Sequence, residues 1–552
     1  MTPTRLTTIL PILFPIAMMS GCAGQVGDGE EAGSDEAALS HAADLASHMP
    51  AHLAIVDTMA WFGVPASVGG PDPSWGNWDI SAFACIPDIT PLTCDAAGDR
   101  EVASRYHPLV GAYSSTGRDA EGLAHIKLML SNLRSACDDS ARLDAYSIQL
   151  DGTHFSSLHG GSAPSVEGPL HALQTFLTEA DAEKRTNAVV PMDDATWYWN
   201  NGHWLGLDCS KSRATCISYL QQDVIDMLQQ AAPHASALRI AGKLVLRFYL
   251  DTAAGFPTVA EWQTIFANAR AATGLDFYTL GSHAGSAYFA AFDALSPWVD
   301  PSYWWPHTAG SSVYAHAQAY AAAIHKDLFA NVPAGHVVFG GAAPGFDDFT
   351  KRWGDCVERQ MPVPSEGKPR HLDVLRGTID YLKTKNVKGI VLSTWDDWTE
   401  GTFLEPSLEE GTEKIVTLRQ KLGDLFGDAQ NAGGDAALTA RWTGFGKTFP
   451  CSGGPGTTHV PALCASCAGP MVLEPTANES VGPAIHLRVS GGACLGSMIA
   501  YIDGVEGARA LTNSIDQWVS VSMGTHRLHV NAWEPDGTLH QGTVDVTFTR
   551  TY

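Results

Sequence analysis

The chain has 552 residues, too many for one ordinary core, so two domains with one of them large are expected. Hydrophobic residues at 45% against charged residues at 17% describe a globular protein and exclude a disordered one. A net charge of -25 argues against a nucleic acid partner, because a phosphate backbone needs a basic face, and is compatible with neutral glycans.

Arg5 precedes an apolar run from Leu6 to Met19, too short to span a bilayer and the size of the core of a signal peptide. The run ends in Met19-Ser20-Gly21-Cys22, which resembles a bacterial lipobox. Residues 1–22 are read as a lipoprotein signal peptide, with Cys22 lipidated as the mature N-terminus; simple secretion is the alternative. Ala23 in place of Asp after the cysteine favours, by the same resemblance, the outer membrane, so a bacterial cell-surface protein held only by its lipid is expected. No other uninterrupted apolar stretch of the sequence is long enough for a transmembrane helix. Residues 23–48 are acidic, small and without periodicity, which reads as a disordered linker.

The remaining ten of the eleven cysteines suit an oxidising compartment. Cys85 with Cys94 and Cys209 with Cys216 are close enough in sequence to staple loops. Cys451, Cys464 and Cys467 include a CxxC, but a second close pair and a His motif are missing, so disulfides are expected there and no metal is required.

From 49 to 427, short apolar runs alternate with helical patterns. Eight candidate strands lie at 53–60, 144–150, 187–192, 243–250, 275–280, 292–299, 336–341 and 388–394. Spacings of three and four mark the helices between them: Leu123, Ile126, Leu130, Leu133; Ile217, Leu220, Val224, Leu228; Leu372, Leu375, Ile379, Leu382. A closing helix carries Ile415, Leu418, Leu422 and Leu425. Eight such units predict an α/β domain of the (β/α)8 TIM barrel class, with a short fifth crossover at 284–291 as its weakest part.

Several predicted strands end in a polar group: Asp57, Asp151, Asp193 with Asp194, Asp251, His283 and Asp397. In such a barrel the active site lies at the carboxyl ends of the strands, although a carboxylate there can also be only a helix cap. The long connection 62–118 follows Trp61, holds Trp75, Trp78 and Tyr113, and is of a size that is usually functional. Trp197-Tyr198-Trp199 and Trp304-Trp305 could line the same cleft, each of them also an ordinary packing residue.

The last strand opens onto Trp395-Asp396-Asp397-Trp398-Thr399-Glu400. Cleaving a glycosidic bond takes two carboxyl groups, one protonated to release the leaving oxygen and one ionised as nucleophile or base. Asp397 and Glu400, three positions apart on a strand-to-loop turn, fit those roles, and Trp395 and Trp398 could desolvate one of them and stack on sugar faces. Spacing alone leaves open a loop of solvated acids around one core tryptophan.

Residues 428–470 read as a linker rich in Gly, Ala, Ser and Pro. From 471 to 552, period-two runs alternate with turns such as Asp503-Gly504 and Asp536-Gly537, which predicts a small all-β sandwich. Its Gly524-Thr525-His526-Arg527 and Ala532-Trp533 resemble bacterial Ig-like modules, with a spacer role or glycan binding as the two options.

The segment from Trp395 to Pro406, WDDWTEGTFLEP, resembles the eighth-strand motif WNEWxEGTxIEP of glycoside hydrolase family 99, the endo-α-mannosidases, and the D-x-x-E of the related family 71, the α-1,3-glucanases. Pro108 to Ser115 resembles family 99's PLIGPYSS, Met192 to Thr196 the acid pair of family 99 after the third strand, and Ala237 to Leu250 its LRIDGKPVLF. The resemblance implies Asp397 as base or nucleophile, Glu400 as general acid, and Tyr113 and Asp193 as contacts to the sugar or the catalytic acids. Two departures stand out: Asp397 is shorter than the family's Glu, and Asp396 replaces its Asn.

The expectation is an exported, monomeric glycoside hydrolase acting on α-1,3-glucan or α-mannan without a cofactor. Trp61, Tyr113, Asp151, Asp193, Asp251, His283, Trp395 and Trp398 are its expected substrate-binding residues. A barrel without turnover that binds surface glycans is the alternative.

Overall fold

The computed structural model describes residues 31–60, 108–150, 167–199, 209–304, 312–347, 360–361, 371–443 and 470–550, apart from short breaks inside those ranges. Trp61, Trp75, Trp78, Asp151, Trp197, Trp305 and Cys22 lie outside the described residues.

All eight expected strands form: β1 Leu53–Thr58, β2 Ala145–Leu150, β3 Val189–Asp194, β4 Lys243–Tyr249, β5 Phe277–Ser282, β6 Ala294–Ser296, β7 as two segments, Val337–Val338 and Gly340–Ala342, and β8 Gly389–Leu392. They run parallel around a ring. The first segment of β7 pairs with β6 and the second with β8, which in turn pairs with β1. Such strands are covered on both faces, which is why their sequences read as near-continuous apolar runs.

Side chains still alternate. Leu53, Ile55, Ala145, Val190, Val245, Tyr278, Leu280, Ala294, Phe339 and Val391 form one cluster inside the barrel. Their neighbours Ala54, Val56, Tyr146, Ile148, Leu246, Phe248 and Ile390 face the helices in a second.

α1 Glu31–His48 precedes the barrel, and α2 Ala120–Leu130, α3 Glu167–Ala182, α4 Arg213–Ala231, α5 Val259–Thr273, α6 Val313–Asn331, α7 His371–Lys385 and α8 Glu413–Phe426 surround it. The short fifth crossover is a single 3-10 turn, Ser286–Ala290. Thr258 and Glu261 form a reciprocal capping box at the start of α5, and Gly274, at φ 68, ends it in the left-handed conformation that glycine adopts without strain.

Two stretches read as linker differ. Residues 31–48 form α1, whose Leu45, with Met49 just beyond, enters the interior cluster at the amino ends of the strands. Inside 428–470, α9 Ala432–Thr443 packs Leu438 and Trp442 into the main core. Short, alanine-rich sequence hid both helices, because their apolar contacts are few and only the barrel wall gives them a partner.

Residues 471–550 contain an all-β sandwich. One sheet has three strands, Met471–Glu474, Ala484–Ser490 and Ser514–Ser520; the other has five, Ser480–Val481, Ser497–Ile502, Val505–Ala510, Gly524–Trp533 and Val544–Arg550. Ile485, Leu487, Val489 and Ile515 from the first meet Met498, Ala500, Leu528, Val530 and Phe548 from the second in one core.

Candidate active site at the carboxyl ends of the strands

After β8 the chain folds back on itself. Trp395 N donates to the Asp57 carbonyl at 2.6 Å, and Leu404 N and Glu405 N both donate to the Trp395 carbonyl at 2.9 Å. The Thr394 and Thr402 hydroxyls bond each other at 2.9 Å across the base of this loop.

Within it, Asp397 N donates to Thr394 Oγ1 at 2.9 Å, and Asp397 Oδ1 accepts from Thr399 Oγ1 at 2.8 Å and from Glu400 N at 3.1 Å. Asp397 is buried and Glu400 half-buried. The Glu400 carbonyl accepts from Asp347 N at 2.6 Å, which fixes the turn at Gly401, where φ is 64.

Glu400 adjoins a group of acids and rings supplied by other strand ends. Tyr249, the last residue of β4, stacks on His283 with centroids 5.3 Å apart and meets Trp298 edge-on at 5.0 Å. Its hydroxyl is pushed well above the ordinary range, by burial first and then by the charges of Asp194, Glu400, Asp251 and Asp300. Burial lowers His283, against the charges of Asp300 and Asp251. Asp194 is raised to about 6, chiefly by burial, with the Asp251 charge adding to it and the Thr196 hydrogen bonds opposing it. Both Thr196 N and Thr196 Oγ1 donate to Asp194 Oδ1, at 3.0 and 2.6 Å.

Behind the loop lies a second set of acids. Glu405 is fully buried and bonds Tyr113 Oη and His125 Nε2, both at 2.6 Å; Tyr113 Oη accepts in turn from Trp398 Nε1 at 3.1 Å. Asp396 Oδ1 accepts from Met59 N at 2.7 Å. Its carboxyl is raised well above the usual carboxylate range, by burial first and also by the charges of Glu405 and Asp397.

The expected residues therefore divide. Asp251 and His283 share the mouth with Glu400. Asp193 does not point there. It is fully buried and paired in register with Phe248, whose ring packs on Trp262 and Phe266 of α5, whereas Asp194 is in register with Tyr249. The inward alternation Val190, Met192, Asp194 carried that distinction in the sequence.

Trp395 and Trp398 also differ from expectation, at 0% and 1% exposed. Trp395 packs edge-on to Tyr146 and against Trp442, and Trp398 stacks on Phe403 at 4.0 Å, so both rings serve the core and not a sugar. Tyr113 supports Glu405 from a buried position. Tyr249, Trp298 and Asp300 stand at strand ends without any sequence motif to mark them, and Arg247, equally unmarked, pairs with Asp57 beneath the mouth. The Cys209–Cys216 disulfide is present, with Cα atoms 5.8 Å apart; the other cysteines lie outside the described residues.

Among the described residues, no group of three or more His, Cys, Asp or Glu side chains could hold a metal ion, and no helix is long and apolar enough to cross a membrane. A cavity of about 360 Å³ lies at the opposite end of the barrel, between His48, Arg134, Arg185 and Arg239. Arg134 is committed there to Asp144 and Asp428, and Arg239 to backbone carbonyls including that of Ala232, so the cavity is a seam of structural ion pairs and caps.

No family model and no curated protein matches the chain. Among solved structures it is similar to the GH99 endo-α-mannosidase of Bacteroides thetaiotaomicron, at 15% identity over 68% of this chain and 98% of that one, with a TM-score of 0.44. It is also similar to a glycoside hydrolase-like protein, at 13% identity over 57% of this chain and 89% of that one, with a TM-score of 0.41. The first belongs to the family that the segment from Trp395 to Pro406 resembles.

Proposed function

We propose that the chain is an exported glycoside hydrolase acting on an α-linked glycan, α-1,3-glucan or α-mannan, with Asp397 and Glu400 as its carboxyl pair. The observation that carries this is the position of Glu400. It stands on the loop after β8, where its charge bears on Tyr249 together with those of Asp194, Asp251 and Asp300. Carboxylates and aromatic rings converging at the carboxyl ends of the strands suit a pyranose substrate. The rings present π faces to its C–H bonds, and the acids accept from its hydroxyls.

In this reading Glu400 gives its proton to the leaving glycosidic oxygen. Asp397, held by the Thr399 hydroxyl and the Glu400 N–H, acts on the opposite side as nucleophile or base. Asp194, raised to about 6, and Asp251 hold the sugar from the facing side of the mouth.

Reducing-end release by the purified protein from α-1,3-glucan and α-mannan tests the reading, beside Asp397→Asn and Glu400→Gln. Each substitution is expected to lower kcat by about 10²- to 10⁴-fold, the usual share of a positioned acid or base. Unchanged rates in both variants would remove the assignment. A second reading, glycan binding without turnover, is favoured by one feature: Asp397 is 1% exposed and one of its oxygens is engaged in its own turn. Binding of these glycans with no release by any of the three proteins would select it.

Export and anchoring through Cys22 complete the proposal. Cys22→Ala is expected to abolish incorporation of labelled fatty acid and to release the protein from the membrane fraction; continued incorporation would remove the lipid anchor.

A further inference from the structure

The three-stranded sheet of the C-terminal sandwich buries one face in the sandwich core and leaves the other open. On the open face His486 is directly across from Trp518, and Arg488 from Asp516. Trp518 is 70% exposed, more than any other large apolar side chain among the described residues. Its indole lies parallel to the His486 imidazole, with centroids 4.6 Å apart and planes 9° apart, so the imidazole backs one face of the ring and leaves the other free.

The imidazole is itself held. His486 Nε2 lies 2.6 Å from Asp516 Oδ1 and Nδ1 lies 3.1 Å from Glu474 Oε2, while Arg488 Nη1 bonds Glu474 Oε1 at 3.3 Å. A sheet that only separated two domains would have no use for an indole fixed upright in water. Its side-chain freedom has been reduced in advance, which lowers the cost of ordering it on a ligand.

We propose that this face binds a neutral polysaccharide, with Trp518 as the stacking ring and Glu474, Arg488 and Asp516 as the hydrogen-bonding rim. This is a second glycan site, remote in sequence from the barrel mouth. Charge selects the occupant. Arg488 lies between the Glu474 and Asp516 carboxylates, so the face carries no excess of positive charge, and the chain as a whole, at -25, repels anionic polymers and anionic lipid surfaces.

A protein partner would call for contiguous apolar area. Met471 is on the same face but opposite Ser490, four residues along the strand from His486, and the Arg488–Asp516 pair intervenes. One isolated aromatic ring in a hydrogen-bonding surround fits the C–H face of a sugar and its flanking hydroxyls. Because the glycan named here is the barrel's own substrate, its identity rests on the proposed function; the existence of the surface does not.

The test is a depletion isotherm of the full chain on insoluble α-1,3-glucan and on insoluble α-mannan, for wild type, Trp518→Ala and Arg488→Ala, with release from a short soluble oligosaccharide measured in parallel. Trp518→Ala is expected to weaken binding to the insoluble polymer by about tenfold or more and Arg488→Ala by less, the scale of losing one well-placed contact. Both should leave release from the soluble oligosaccharide unchanged. The open position of Trp518 keeps folding out of the result, and matching denaturant midpoints confirm it.

Equal binding by wild type and Trp518→Ala, or no binding by wild type to either polymer, would overturn the surface. So would self-association that Trp518→Ala abolishes, which would assign the face to a second copy of the chain. Trp518-dependent binding with no release from any glycan would leave the surface standing while the catalytic reading fell.

Discussion

The Asp57 carboxylate and the Arg247 guanidinium form an ion pair inside the barrel with neither side chain exposed. Arg247 precedes Tyr249 by two residues on β4, so it points to the same interior one layer below the mouth. Two charges withdrawn from water are tolerable only together. Arg247→Met, which strands the carboxylate, is expected to lower stability by about 3–5 kcal/mol, and Asp57→Asn combined with Arg247→Met to recover most of that loss. Urea unfolding of the two single variants and the double variant checks this; a double variant as unstable as the sum of the singles would mean that the two groups do not compensate each other.

Asp194 makes stability depend on pH. The folded chain holds its proton to about 6, whereas the unfolded chain releases it near 3.8. The contribution of this group is therefore complete below 3.8 and is lost as pH rises through 6. At about 1.4 kcal/mol for each pH unit of that displacement, the loss comes to about 3 kcal/mol. Asp194→Asn, neutral throughout, should flatten that part of the profile of unfolding midpoint against pH. An identical profile in the variant would show that another group titrates there.

Tyr113 separates a supporting role from a sugar-binding one. Its hydroxyl donates to the buried Glu405 and accepts from Trp398 Nε1. Tyr113→Phe leaves both partners short of a bond and should cost about 1–3 kcal/mol of stability. The KM for a soluble oligosaccharide should stay within about twofold, since a change in binding below about 0.4 kcal/mol is of that size. A KM raised by an order of magnitude with the unfolding midpoint unchanged would return Tyr113 to the substrate.

The barrel was legible in the sequence because parallel strands covered on both faces must be apolar along their whole length, and each of the eight runs became a strand. The short run at 284–291 was legible as a weak crossover and forms only a 3-10 turn. The loop from Trp395 to Pro406 was legible as the place where the acids gather, but not the division of labour within it. Tryptophans beside carboxylates look alike whether they face a sugar or the core, and only packing against Tyr146, Trp442 and Phe403 distinguishes the two. Asp193 and Asp194 differ by one position, which in a strand is the difference between the helix layer and the barrel interior.

α1 was the least legible element, and it supports the largest structural prediction. Leu45 and Met49 close the interior cluster at the amino ends of the strands. Around them, His41 Nδ1 lies 2.6 Å from Asp293 Oδ1 and 3.2 Å separates His41 Nε2 from Asp276, while Asp44 takes a hydrogen bond from Tyr278 and an ion pair from Lys243. The Tyr278 hydroxyl first, and Lys243 second, hold Asp44 down at about 2 from an ordinary 3.8, so its contribution is present above 3.8 and fades as pH falls towards 2. Leu45→Ala should cost about 2–5 kcal/mol, the range for truncating a buried leucine. A chain begun at residue 49 should lose more, because Leu53, Tyr278 and Phe339 would then face water at the barrel's foot. Both forms should keep the KM of the intact protein, since the mouth lies at the other end of the strands. A truncated chain that unfolds at the same denaturant concentration as the full one would show that α1 only rests on the barrel and does not close it.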